Sequence, residues 1–328
     1  MNTPLRPLEH VACPLCGSQD HRLVFTRRDH THLVSDIKFH IVRCGGCGLV
    51  FVNPRPSVDA IHAYYPNDFY QVELNADELL AQKQQTLHAR LKVMGNLSPG
   101  RILDVGCQKG EFLYFMRQRG WEPVGVEFSS KPPNVYNLPI HYTELKDAPL
   151  SAGSFDVITL WAVLEHIHEP VQVLREVSRL LKPGGRAFVL VPNFNSIPAQ
   201  FMRHDDVPRH LIMFTPRTLG RAAGLAGMDI RRVAFGDDIF SGHTRGVLNY
   251  AWKLARGESI EEIVAQNREP GRWREFSEMI RGRPNRIMRL VDRLDQKVTP
   301  ALDYVVNALG LGFIFTAELV KQNRERTG

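Results

Sequence analysis

Apolar positions recur along this chain with two different periods, and the period changes near residue 101. Upstream, Leu79, Leu80, Leu87, Leu91 and Met94 repeat at helical spacing, which predicts a helix over residues 76–94, and residues 58–65 carry the same rhythm. Ser98-Pro-Gly100 ends this helical connector. Before it, residues 22–26 and 38–43 read as short strands, and residues 48–57 as a strand running into a proline-punctuated turn. Downstream, short apolar runs at 101–105, 123–127, 155–160, 186–191 and 229–235 alternate with amphipathic runs at 111–119, 169–180 and 215–226. Such βαβ alternation predicts an α/β fold, a mostly parallel, doubly wound sheet with helices on both faces. In such sheets ligands bind beyond the carboxyl ends of the strands, where glycine-rich turns open helices.

Composition narrows the class without changing that picture. The 328 residues are 43% hydrophobic and 23% charged, as in a globular protein with one large domain and a small appendage. The formal charge of +6 is uneven: residues 241–298 hold 12 Lys/Arg against 8 Asp/Glu. A solvated helical surface accounts for that run, and a basic patch meeting anionic partners is the alternative. The first residues contain no apolar run, so no signal peptide is expected. The longest apolar stretch, residues 304–317, is shorter than the roughly 20 residues of a membrane span. A cytoplasmic protein is expected, with peripheral membrane contact left open.

Four of the five cysteines form two pairs, Cys13-Pro-Leu-Cys16 and Cys44-Gly-Gly-Cys47. Paired Cys-x-x-Cys knuckles at this separation suit tetrahedral thiolate coordination of Zn2+, with Gly17, Gly45, Gly46 and Gly48 easing the turns. Two disulfides or a redox pair are the alternatives, and a cytosolic setting disfavours both. A closed four-thiolate site is structural, so this zinc is expected to fold its segment and do no chemistry.

The loop after the first strand carries more specific chemistry. Asp104-Val-Gly106-Cys107-Gln108-Lys109-Gly110 resembles the first motif of the class I S-adenosylmethionine-dependent methyltransferases, and its companions follow in order. They are Val124-Gly-Val-Glu127, Glu144-Leu145 ahead of Pro149, Ser154-Phe-Asp-Val-Ile-Thr-Leu160, and Lys182-Pro-Gly-Gly185 leading into the next strand. The resemblance implies a Rossmann-like core binding S-adenosylmethionine through Asp104, Gly106, Cys107, Gly110, Glu127, Phe128, Glu144, Leu145, Leu160 and Trp161. Asp104 would support the loop and the cofactor ammonium, Glu127 both ribose hydroxyls, and Glu144 the adenine. Cys107 is read as packing within the loop. With the cysteine pairs, Tyr64-Tyr-Pro66 and Asp206-Val-Pro-Arg-His-Leu-Ile-Met-Phe-Thr215, the chain resembles a narrower group, bacterial small-molecule methyltransferases with an N-terminal zinc ribbon, often associated with glycan or natural-product pathways. Five segments follow: ribbon 1–57, helical connector 58–99, methyltransferase core 100–240, a helical insertion on the substrate side 241–309, and a last strand with its tail 310–328. For residues 301–317 a membrane-lying amphipathic helix competes with the strand reading.

Three departures from the family pattern stand out. Gln108 occupies a glycine position, Pro132-Pro133 truncate the helix after Glu127, and Ala162 replaces a glutamate that quinol-type O-methyltransferases use for metal. Methyl transfer depends on alignment in a dry pocket, and a hydroxyl acceptor also needs a group to take its proton. Glu165, His166 and His168 after the fourth strand, and Asp205, Asp206, Arg209 and His210 after the fifth, are the candidates; Glu165, His166 and His210 are selected as catalytic. The expected reaction is methylation, favouring oxygen, of a small-molecule, sugar or glycan acceptor. An RNA methyltransferase or an inactive binding protein of the same fold is the alternative; the thin patch Arg27, Arg28, Lys38 and Arg43 disfavours nucleic acid.

Overall fold

The computed structural model describes residues 7–29, 32, 34–65, 76–128, 131–196, 206–236, 239, 247–259, 262 and 286–322. Asp205 and much of the stretch between residues 240 and 285 lie outside these residues. The central sheet has seven strands in the order β12-β13-β10-β9-β6-β7-β8. They are β6 (Arg101–Val105), β7 (Glu122–Val126), β8 (Ile140–His141), β9 (Phe155–Trp161), β10 (Leu181–Pro192), β12 (Met228–Phe235) and β13 (Ile314–Lys321). β8, β7, β6, β9 and β10 are parallel, while β13 runs antiparallel between β10 and β12. Strand order therefore reverses between β6 and β9, and the crevice at their carboxyl ends is the expected ligand position. Near-continuous apolar runs, such as Phe188, Val189, Leu190 and Val191, suit strands covered on both faces.

The covering helices are α1 (Ala76–Met94), α2 (Glu111–Arg117), α3 (Pro170–Leu180) and α4 (Pro216–Leu225). α3 puts Val171, Leu174, Val177 and Leu180 on one buried row at helical spacing. α4 opens with a capping box between Thr215 and Thr218 and with Pro216 in its first turn, which sets its start. Residues 58–65 form only a short 3-10 turn, Ile61–Tyr64, in place of a longer helix. The Lys182–Gly185 turn lies inside β10, where pairing to β9 shifts register between Leu181 and Arg186.

The N-terminal sheet is not confined to residues 1–57. Its strands β2 (His21–Arg27), β3 (Phe39–Cys44) and β4 (Val50–Val52) are antiparallel, and a fourth, β11 (Ile212–Met213), is supplied from beyond β10. A separate two-stranded ladder pairs β1 (Leu8–Glu9) with β5 (Arg55–Pro56). Cys13, Cys44, Leu49 and Phe51 belong to the same buried cluster as Leu103, Leu164, Leu211 and Phe315, so the two sheets share one core.

Arg209 is the staple between them. It is 0% exposed. Its guanidinium donates to both oxygens of Asp29 at 2.6 and 3.1 Å, to Asp206 at 2.7 and 2.9 Å, and to the Tyr64 carbonyl at 2.6 Å. Arg209 and Asp206, expected at the acceptor site, are thus committed to structure. Burial opposes the Asp206 charge, but Arg209, His210 and His32 hold its carboxyl far below the usual range. Arg209→Ala leaves Asp29 and Asp206 uncompensated in the interior. It is expected to cost about 3–5 kcal/mol in urea unfolding; a loss under about 1 kcal/mol would contradict the staple.

The insertion contributes α5 (Val247–Ala255) packed on α6 (Arg286–Ala308), with the Leu248 N–H donating to Asp295 at 3.1 Å. The helix ends at Ala308 and β13 begins at Ile314, so the strand reading holds for the chain after Gly312. No described helix is long and apolar enough to cross a membrane.

Candidate functional site

Where β6 ends, the chain turns through Gly106 and Gly110 into α2. Both glycines have positive φ, 72° and 85°, and an added Cβ would meet Val163 Cγ2 or Leu138 Cδ1 at 2.6 Å. Gln108, at φ 51°, also takes the left-handed conformation, and its side chain is exposed, directed away from the loop interior. Its backbone N–H donates to Glu127 Oε2 at 2.8 Å, linking the loop to the end of β7. Three acids crowd here while nearly sealed from water: Asp104 at 3%, Glu111 at 4% and Glu127 at 2% exposure. Burial pushes the Asp104 carboxyl up to about 7, against the pull of Arg90 and a 2.6 Å hydrogen bond from Thr159.

Two cations answer them from α1. Lys83 Nζ lies 2.7 Å from Glu111, and the Arg90 guanidinium stacks over Phe112 and Trp161, 5.6 and 5.1 Å from their ring centroids. Arg90 Nε and Trp161 Nε1 are buried and have no hydrogen-bond partner among the described residues. Sequence reading missed Arg90, Lys83 and Glu111. The signal was present: Lys83, Leu87, Arg90 and Met94 share one helical row, so two cations sit on the face that buries Leu87 and Met94.

The remaining candidates divide. Cys107 is buried beneath the loop, and burial raises its thiol far above the usual range, as suits packing. Leu145 and Leu160 are buried in the shared core, and Phe128 packs partly buried against it. Glu144 is exposed and paired with Lys146 at 2.8 Å. Among residues 131–139 no helix follows β7; Ser129 and Ser130 are outside the described residues. The carboxyl edge of β6, β7 and β9 therefore combines a glycine cradle, buried acids and orphaned N–H donors. These features suit a ligand carrying an ammonium, a carboxylate and a ribose diol.

Beyond β9 lies a second cluster. Glu165 is 1% exposed with both oxygens unpartnered among the described residues, and burial lifts its carboxyl to about 8. His166 Nδ1 is 3.0 Å from the Arg209 carbonyl and 3.3 Å from the Tyr65 hydroxyl. The carbonyl accepts only, so Nδ1 is assigned as the protonated nitrogen and Nε2 keeps its lone pair. Burial pushes the His166 pKa below the usual imidazole value. The His210 ring meets that of His166 edge-on at 4.7 Å. Glu165, His166 and His210 bring ligand atoms within 4.8 Å of one another, within reach of a small cation. The structure brings together all three residues selected as catalytic. His168 is drawn elsewhere: its Nε2 meets the Pro56 carbonyl at 3.0 Å, and Arg55 donates to its carbonyl at 3.0 Å.

The four paired cysteines also converge. All four Sγ atoms lie within 4.8 Å of one another, with Cys13–Cys47 and Cys16–Cys44 each 3.5 Å apart. Those separations exclude disulfides, whose sulfurs sit about 2.05 Å apart, and approach the edge of a tetrahedron with bonds of about 2.3 Å. Burial disfavours the Cys44 thiolate, yet backbone N–H groups of Cys47 and Gly46 and the Cys16 and Cys13 thiols lower it to about 7.

Comparison with known proteins agrees with this geometry. A family model described as a methyltransferase domain matches residues 76–233. The ubiquinone biosynthesis O-methyltransferase of Aeromonas salmonicida is 30% identical over 191 residues, spanning 52% of this chain and 77% of the relative. The protein of the same description from Pseudomonas aeruginosa is 26% identical over 195 residues, spanning 53% and 80%. A solved S-adenosylmethionine-dependent methyltransferase from Archaeoglobus fulgidus is 16% identical, covering 76% of this chain and 95% of that one, with a TM-score of 0.44. The glycine loop at the switch point, the seven-stranded sheet with its one reversed strand, and the matches to the family model and to the Aeromonas salmonicida relative make the chain a member of the class I S-adenosylmethionine-dependent methyltransferases.

Proposed function

We propose that this enzyme methylates a hydroxyl of a small-molecule acceptor, with His166 as the base and a structural zinc in the four-cysteine site. The observation that carries the reading is His166 itself, kept neutral by burial and held through Nδ1 so that Nε2 can accept a proton. The relatives described as ubiquinone biosynthesis O-methyltransferases support oxygen as the methylated atom. S-adenosylmethionine, when bound, supplies an electrophilic methyl group on a sulfonium. Asp104 would hold the ammonium, Arg90 the carboxylate, and Glu127 the ribose hydroxyls, while Gly106 and Gly110 allow close backbone approach. Leu145, Phe128 and Glu144 are assigned to the adenine side, and Leu160 and Trp161 to the floor. His210, edge-on to His166, would line the acceptor side. Glu165 is neutral below about pH 8 and adds no charge that would retain a proton on His166.

Cofactor binding should report Asp104 directly. Its carboxyl titrates near 7 in the free protein, and an ammonium partner favours the ionised form. Binding therefore releases a proton below pH 7, and affinity should fall up to tenfold per unit as pH drops from 7 towards 5. Above about pH 8 ionisation of the ligand's own α-amino group reverses the trend. Calorimetry with S-adenosylhomocysteine measures this, with Asp104→Asn expected to bind more weakly and to flatten the acidic limb. Unchanged affinity between pH 5.5 and 7 would remove Asp104 from the site. Methyl uptake onto phenols, hydroxylated natural products and free sugars would then separate the acceptor classes, and uptake only onto RNA would overturn the reading.

A further inference from the structure

We infer that the insertion helix α6 is a docking surface for an anionic lipid bilayer. Leu290, Leu294, Val298, Leu302, Val305 and Leu309 follow one another at three- and four-residue steps, so they form one continuous stripe. All six are exposed, from 37% at Leu302 to 67% at Leu309, while the neighbouring face buries Asp295, Thr299 and Val306. α6 therefore presents an apolar stripe to solvent beside its packed face, where an ordinary surface helix is polar. Such a stripe marks a partner surface.

Charge identifies the partner. Exposed Arg293 and Lys297 sit one position before Leu294 and Val298, along the edge of the stripe away from the packed face. Tyr304, 77% exposed, lies on that same edge. An apolar face bordered by cations and an aromatic is the pattern of a helix lying in the interface of an anionic membrane. Anionic headgroups would meet these cations along the rim of the stripe. The sequence adds Arg281 and Arg283 just before α6 and Arg286 and Arg289 in its first turn. α6 is too polar to cross a bilayer, so it lies on one.

The helix is also tied to the catalytic edge. Asn193, directly after β10, donates to the Gly310 and Gly312 carbonyls at 3.2 and 2.9 Å, and its N–H bonds the Phe313 carbonyl at 2.7 Å. The C-terminal end of α6 is therefore anchored beside the carboxyl end of β10, where an amphiphilic acceptor drawn from a bilayer could enter.

Vesicle flotation tests docking without reference to methyl transfer, so its failure leaves the proposed reaction standing. The full chain should float with vesicles containing phosphatidylglycerol and bind pure phosphatidylcholine at least about tenfold more weakly, with binding loosened by salt. Leu294→Glu with Val298→Glu should abolish flotation while leaving S-adenosylhomocysteine affinity and thermal unfolding unchanged. Arg293→Glu with Lys297→Glu, which removes no apolar contact, should weaken binding about tenfold on anionic vesicles alone. Absence of vesicle binding by the parent chain, or equal flotation of parent and both double variants, overturns the proposal. A dimer in sedimentation without lipid that the Leu294→Glu, Val298→Glu pair dissociates would assign the stripe to a second copy instead.

Discussion

Cys13→Ser is expected to release the metal and melt the N-terminal sheet, at a cost of at least about 4 kcal/mol. Removing one thiolate leaves Cys16, Cys44 and Cys47 without a closed shell, and the short turn hydrogen bonds nearby, such as Gly45 N–H to the Asp20 carbonyl, are a weak replacement. The damage should not stop at the ribbon. β11 pairs with β4, Arg209 joins Asp29 to the Asp206 loop, and Arg55 and Tyr65 hold the loop bearing His168 and His166. Turnover should therefore collapse with the sheet, whereas Asp104, Arg90 and Glu127 stand on β6, α1 and β7 and should still bind S-adenosylhomocysteine. Zinc release followed with a chromophoric chelator, urea unfolding and calorimetry check the three parts. A variant that keeps one equivalent of zinc and parental stability would rule out the four-thiolate site. Loss of cofactor affinity in step with turnover would instead mean that the ribbon supports the whole core.

That coupling marks the boundary of what the sequence could reveal. The strands β6, β7, β9, β10 and β12 were legible as short apolar runs bounded by Gly, Pro or polar turns, and β13 through the family resemblance. The glycine loop and the cysteine pairs were legible because their chemistry is local: a turn needs Gly106 and Gly110, and one knuckle needs two thiols a few residues apart. β8 and β11 were missed because each has two residues, Ile140–His141 and Ile212–Met213, too short for any period to register. Arg209 looked like an acceptor-site residue because charge in a loop after a core strand usually serves a ligand. Its partner Asp29 is 180 residues away in sequence, and no local pattern announces that pairing. Arg90 was legible in principle, as a cation on the apolar row of α1, yet its meaning depends on Trp161 and Asp104 arriving beside it from two other strands.

His166→Ala is expected to lower kcat by about 10²- to 10⁴-fold while leaving S-adenosylhomocysteine affinity unchanged, the range for loss of a positioned general base. The pH profile carries the sharper test. Burial depresses the His166 pKa, and although Asp206 and the Arg209 carbonyl pull the other way, the net shift is downward. The neutral imidazole is the active form, so kcat should rise with pH through a midpoint below 6.5 and be level by neutrality. Glu165 separates this role from that of its neighbour: being protonated below about pH 8, it is already mimicked by Glu165→Gln, which should keep its turnover at pH 7. Its own linkage has the opposite sense to a salt-bridged acid. A carboxyl whose folded pKa is raised costs stability progressively as pH climbs from about 4.5 to about 8, so Glu165→Gln should be the more stable protein at pH 9. An acidic limb above 6.5, or one that persists unchanged in His166→Ala, would transfer the base role to His210, whose ring stands edge-on 4.7 Å away. Equal losses in kcat and in cofactor affinity would instead show that His166 supports the loop between β9 and α3 and takes no proton.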